Sequence, residues 1–405
     1  MNLKEDRQRT VSDMLPENLK VAHVFVNSFR YTSRTIKEMR SIRKVSEAHV
    51  SFVGMKDNDL PSYELFDGQF EIFREIVKTR SLPKYKFFQL IKYGEWAWKA
   101  FSRLKKLTPT LIHCHGLWAL PVAVSVKYYL KCALVYDAHE LETERQVGRT
   151  LQRYLMYRLE KFLIKSVDEV LVVSPSIKEF YQKLYPKKKI NLLVNAPSNL
   201  EIHHTQSLDI RKFLGLSDKD FIFLYMGGMS KERGIELYLE VFKELDPPFH
   251  LFFLGNNGPL CKDIQKIARK QENIHWHSLV PHDQVINTIK SADVVLRMFK
   301  TTHLNHVYAM PNSIFQAEVA GIPYLINRNC KDITDFFSSS PLCIPIDYDA
   351  NELYRWCKNY THESFPKRTK KVNDIYTWEA YEQRLFDSYK NALNKTSNLS
   401  RRKGI

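Results

Sequence analysis

Cysteine is scarce in this chain. There are six in 405 residues (Cys114, Cys132, Cys261, Cys330, Cys343 and Cys357), and no two stand at a paired spacing. That argues against a zinc framework or a disulfide scaffold and predicts a reducing compartment. No apolar run approaches the roughly 18 residues that a membrane-crossing helix needs. The first 20 residues, MNLKEDRQRTVSDMLPENLK, contain no apolar segment, so they are expected to be a polar extension and not a secretory signal. Low-complexity segments and internal repeats are also missing. No recognised nucleic-acid motif accompanies the basic residues, so no nucleic-acid partner is expected.

Acidic residues are in deficit. Lys and Arg number 61 against 45 Asp and Glu, a formal charge of +16. Such an excess predicts an anionic partner, either a phosphorylated substrate or an anionic membrane face. At 44% hydrophobic and 26% charged the chain is globular, and its length suits two domains.

Short buried-strand runs alternate with amphipathic helices. The runs fall at 21–27, 48–54, 110–116, 133–140, 168–174 and 190–197, then at 221–228, 249–256, 274–279, 292–298, 322–327 and 342–347. Two such series predict an α/β chain of two doubly wound Rossmann-like domains facing each other across a cleft. The expected division is 21–200 and 201–375, with the polar stretch SNLEIHHTQSLD as a linker. A helix at 376–395 is expected to return to the first domain, and 396–405 is a basic tail.

Several strand ends carry candidate chemistry. FLYMGGMSKERGIELYLEVF places Gly227 and Gly228 before Lys231 and Arg233 at the start of a helix. Glycines, a helix amino end and cations together suit a diphosphate, although an ordinary turn reads the same way. TLIHCHGLW puts His113 and His115 on one face of a strand, where either can meet a substrate or stay in the core. VYDAHELETE brings Asp137, His139 and Glu140 to the next strand end. Residues 84–107 interleave aromatics with lysines, which suits a helix lying on anionic lipid or one packing its apolar face on the sheet.

Taken in order, these stretches resemble the GT-B glycosyltransferases, and among them the retaining family 4 (group 1) enzymes. SRTIKEMRSIRK, LIHCHG, VYDAHE, LLVNAPS, GGMSKERGIELYLEVF, YAMPNSIFQAEVAGIPYL and YTWEAYEQRLFDSYK carry the resemblance from Val21 to about Leu393. It implies that His115 contacts the donor sugar and that Arg233 holds the diphosphate. The loop around Gly227 and Gly228 and the helix start at Asn312, Ser313 and Ile314 would contribute to the same diphosphate site. Gln316, Glu318 and Tyr308 would serve the ribose or donor sugar, with His113, Asp137, His139 and Glu140 on the acceptor side. Two departures stand out. Tyr308 and Gln316 occupy the positions of the family's paired glutamates, and Gly228 replaces a second basic residue of the phosphate loop.

The implied activity is metal-independent, retaining transfer of a sugar from a nucleoside diphosphate sugar, UDP or GDP by base, to a hydroxyl of a lipid-linked or polymeric cell-surface glycan. No cofactor is expected. The location implied is cytoplasmic, peripheral on the inner face of the membrane. A non-catalytic glycan-binding or partner subunit and a nucleotide-sugar epimerase are the alternatives.

Overall fold

A computed structural model of the protein describes residues 15–30, 32–57, 59–83, 85–144, 150–361 and 374–402. Most of the expected polar extension, Lys84 and the last three residues of the expected tail lie outside these. The chain divides into two compact units, Met1–Leu193 with Tyr381–Ile405, and Val194–Ala380.

The first unit is built on β1 (Lys20–Phe25), β2 (His49–Met55), β3 (Tyr63–Phe66), β4 (Phe70–Glu75), β5 (Leu111–His115), β6 (Ala133–Ala138), β7 (Glu169–Val172) and β8 (Ile190–Leu192). Among the described residues they order as β3-β4-β2-β1-β5-β6-β7-β8, parallel except for β3. All five residues of β5 are buried, as expected for a central parallel strand covered on both faces. The β3–β4 hairpin is a strand pair the sequence reading passed over. Its three-residue turn opens with Asp67-Gly68 at φ of 50° and 66°, the left-handed conformation that Asp-Gly favours in hairpin turns.

The second unit holds β9 (Phe221–Met226), β10 (Phe249–Leu254), β11 (Ile274–His277), β12 (Val294–Arg297), β13 (Tyr324–Asn327) and β14 (Cys343–Ile346). They run parallel in the order β11-β10-β9-β12-β13-β14. Every strand run expected from the sequence carries a strand. In each sheet the order reverses at one place, between β1 and β5 and between β9 and β12. The carboxyl edge at such a reversal is where parallel sheets bind ligands.

Two expectations are corrected. The stretch after Pro197 is not a bare linker. Asn199–Ile202 is helical, closed by a capping box in which Ser198 and Glu201 satisfy each other's backbone donors. The terminal helix starts later than expected and runs further, as Glu382–Arg402. Ahead of it, Trp378 is buried and its amide donates to Pro197 O at 2.8 Å, which holds 374–380 in short 3-10 turns. The long helix does return to the first unit. Ser41 Oγ donates to Glu382 at 2.7 Å, and Lys395 Nζ donates to Glu169 at 2.6 Å.

Candidate functional site

The reversal point of the first sheet gathers a buried polar cluster. The β1–β5 register sets His23 beside His113, and the β5–β6 register sets His115 beside Asp137. Alternation turns His113 and His115 to one face, where their rings stack 4.5 Å apart at 7°. The helix Ser33–Val45 adds Arg34 and Glu38, both buried.

Asp137 is the anchor. Arg34 grips it with two bonds, Nε to Oδ2 at 2.7 Å and Nη2 to Oδ1 at 2.8 Å, and spends its third group on Leu193 O at 2.7 Å. Burial opposes ionisation of Asp137, but Arg34 and His139 beside it hold its carboxyl well below the usual carboxylate range. Glu38 goes the other way. Burial, reinforced by Asp137, pushes its carboxyl well above the usual range. Burial also lowers His23, His113 and His115, and the mutual proximity of the rings lowers His23 and His115 further.

The imidazoles form a chain. His139 Nε2 lies 3.1 Å from His115 Nδ1, and His115 Nε2 lies 2.9 Å from His23 Nδ1. His113 Nδ1 meets Tyr389 OH at 2.7 Å, so the returning helix fixes that ring. Ligand atoms of His23, Glu38, His113 and His115 come within 4.8 Å of one another. Two nitrogens on one tetrahedral zinc would sit about 3.4 Å apart with converging lone pairs. Here the 2.9 Å contact is a hydrogen bond, and the nearly parallel rings do not point their nitrogens at one spot. The arrangement suits proton sharing better than coordination. His115 is only 1% exposed, whereas His139 and Glu140 are half-buried, so His139 is the outward end of the chain.

The second unit places the other predicted residues. Gly227 has φ of 128° and Gly234 φ of 82°; a Cβ on Gly234 would lie 2.4 Å from Met298 O, so the loop requires glycine there. Between them the turn Lys231–Arg233 leads into the helix Ile235–Lys243. Tyr225 OH donates to Gly228 O at 2.6 Å and braces the loop. The helix Asn312–Ala320 begins after Pro311 and stops at Gly321, which takes the left-handed conformation. Near its amino end, Asn312 Oδ1, Ser313 Oγ and Gln316 Nε2 are buried atoms without a hydrogen-bond partner among the described residues. Ile314 is fully buried, and Tyr308, half-buried, closes the short turn Leu304–Val307. Glu318 faces elsewhere, two residues and about 200° round the helix from Gln316. It accepts from Tyr324 OH at 2.7 Å and from Ser340 Oγ at 2.7 Å.

Residues 44–196 match the profile of Glycosyltransferase Family 4, and residues 206–326 match that of Glycosyl transferases group 1. The chain belongs to the group 1 glycosyltransferases. This glycosyltransferase is 21% identical over 275 residues to a lipopolysaccharide 1,2-N-acetylglucosaminetransferase of Salmonella typhimurium, covering 62% of its own length and 70% of that protein. Sucrose-phosphate synthase from Thermosynechococcus elongatus has a similar fold, with a TM-score of 0.68 at 15% identity over 94% of this chain and 95% of that one. Anabaena HepE, solved in complex with UDP-glucose, gives 0.62 at 12% identity over 95% and 100%. With two parallel-sheet domains and these neighbours, the glycosyltransferase has the GT-B fold.

The sequence reading missed His23, Arg34 and Glu38 in the first unit and Arg297 in the second. Each is a charged or titratable group in a segment that otherwise reads as a buried strand or as one turn of an amphipathic helix.

Proposed function

We propose that this glycosyltransferase binds a nucleoside diphosphate sugar on its second unit and passes the sugar, with retained configuration, to a hydroxyl of a lipid-linked or polymeric cell-surface glycan. The observation that carries the reading is the start of the Asn312–Ala320 helix. Buried, unpartnered Asn312, Ser313 and Gln316 atoms gather where a helix amino end offers free N–H groups and partial positive charge. A diphosphate accepts from the free backbone N–H groups and from the Ser313 hydroxyl, Asn312 Oδ1 can accept from a hydroxyl of the donor, and the Gln316 amide can both donate to and accept from ribose hydroxyls. Arg233 and the helix amino end stabilise the charge that develops on the leaving diphosphate without calling on a metal. The departing phosphate then takes the acceptor proton in a front-face attack. The Salmonella relative acts on lipopolysaccharide and HepE was solved with UDP-glucose, which supports a cell-surface acceptor and a uridine donor. Turnover of a panel of UDP, GDP, ADP and CDP sugars tests this, with sugar release expected for at least one.

The acceptor reading agrees with a membrane face on the first unit. No described helix is long and apolar enough to cross a membrane. The helix Lys86–Leu107 buries Trp96, Ala100 and Leu104, yet leaves Phe87 69%, Leu90 66% and Trp98 68% exposed beside its lysines. Such a face lies on anionic lipid. The protein is expected to sediment with phosphatidylserine vesicles and to remain in solution with phosphatidylcholine alone. Phe87→Ser with Trp98→Ser is expected to abolish the difference, and equal behaviour of the wild type with both lipids would refute the membrane face.

A further inference from the structure

Arg297 is an anomaly in its strand. It ends β12, whose other residues are apolar and buried, and it is itself only 5% exposed. A cation this deep normally has a carboxylate beside it. Arg297 has none among the described residues. Nη1 donates to Met226 O at 2.9 Å, and Nε has no hydrogen-bond partner among the described residues. The guanidinium lies 4.8 Å over the Phe299 ring and 5.7 Å over that of Tyr225, which orient it without neutralising it.

Its position is the reversal point of the second sheet. Met226 ends β9, Arg297 ends β12, and the hydrogen bond between them spans the two strands at their carboxyl edge. The phosphate loop begins one residue later. A Cβ on Gly227 would lie 3.3 Å from Arg297 Nη1, so the guanidinium abuts the loop backbone. Arg233 is near enough that its charge adds to burial in lowering the Arg297 pKa. Arg297 therefore lies under the loop and Arg233 within it, and neither has a carboxylate partner among the described residues. That arrangement is costly by itself and favourable once a polyanion is bound.

We infer that Arg297 is a second cationic contact for the diphosphate, supplied from β12 in place of the basic side chain that Gly228 leaves out of the loop. The inference rests on the donor site proposed above. The guanidinium fork, fixed between two aromatic rings, presents paired N–H donors to phosphate oxygens. Arg297 thereby does from beneath the loop what a loop cation would do from above it.

Calorimetric titration with inorganic pyrophosphate and with UDP, GDP, ADP and CDP separates the possibilities. Arg297→Met is expected to weaken pyrophosphate and the preferred nucleotide at least tenfold, and to flatten the salt dependence of binding. Its ligand-free Tm should hold or rise, because an uncompensated buried charge is replaced by an apolar side chain of similar length. Arg297→Lys should lose less. Adding Gly228→Arg to Arg297→Met should recover affinity, since a Cβ at Gly228 meets only Asn257 Oδ1, at 3.3 Å. Unchanged affinity in Arg297→Met, whatever its Tm, overturns the inference while leaving the donor site standing. Arginine-dependent binding of pyrophosphate with no nucleotide bound upholds the anion contact and sinks the nucleotide-sugar reading. Failure of the wild type to bind either probe overturns both.

Discussion

Arg34→Ala is expected to destabilise the first unit by about 3–5 kcal/mol, the cost of breaking a buried ion pair from one side. Against the 5–15 kcal/mol of a typical domain this is a large share. The cause is Asp137. It is fully buried, and removing Arg34 strips away its two shortest bonds and leaves its charge beside the buried Glu38 carboxyl. The Leu193 carbonyl loses its bond as well. Hydrogen exchange of the β5 and β6 amides reads the first unit separately from the second. Arg34→Met combined with Asp137→Leu should recover much of the loss, because it removes both charges. A single variant as stable as the wild type would show that the cluster is not the electrostatic anchor described.

Acidification is expected to unfold the same unit. His23, His113 and His115 are all lowered by burial, so the native state resists protons that the unfolded chain accepts below about pH 6.5. Their contribution is complete above that value and is lost as pH falls. Glu38 works oppositely. Its raised carboxyl contributes most below the unfolded glutamate value of about 4.3 and loses that contribution as pH rises. Three losses against one gain leave a net fall in stability as pH drops from about 6.5 towards 5. Asp137, held well below the usual range, adds a further loss only at lower pH. The denaturant midpoint of the first unit, followed by the same amides, should drop steeply across that interval. A flat profile from pH 8 to pH 5 would contradict the burial of the three imidazoles.

Much of the fold was legible because a parallel sheet writes itself as apolar runs between amphipathic helices. What escaped was local. The Ser198-to-Glu201 capping box is a readable signal in a polar stretch that looks like loop, and Asp67-Gly68 is one between the short runs YELF and FEIFRE. Two-residue periodicity was enough to put His113 and His115 on one face. It was not enough to bring in His23, some 90 residues earlier, because only the β1–β5 register sets it there. Arg34 and Glu38 lie in the charge-rich helix SRTIKEMRSIRK, where a solvated and a buried charge are distinguishable only once the packing is known. Arg297 left a signal that went unread, a single cation inside the buried run ADVVLRM. Gln316 could be singled out only through family resemblance, since nothing in its neighbourhood marks it as a binding residue.

The central claim is that the second unit binds a nucleoside diphosphate sugar and activates it for transfer. Proton NMR of UDP, GDP, ADP and CDP sugars incubated with the protein measures this most directly, because it follows the anomeric proton of each donor and of the sugar released. The expected result is consumption of one donor, with the sugar first appearing in the donor's own anomeric configuration and the rate falling about tenfold in Gln316→Ala. Intact donors across the whole panel, or first product of inverted configuration, would contradict it.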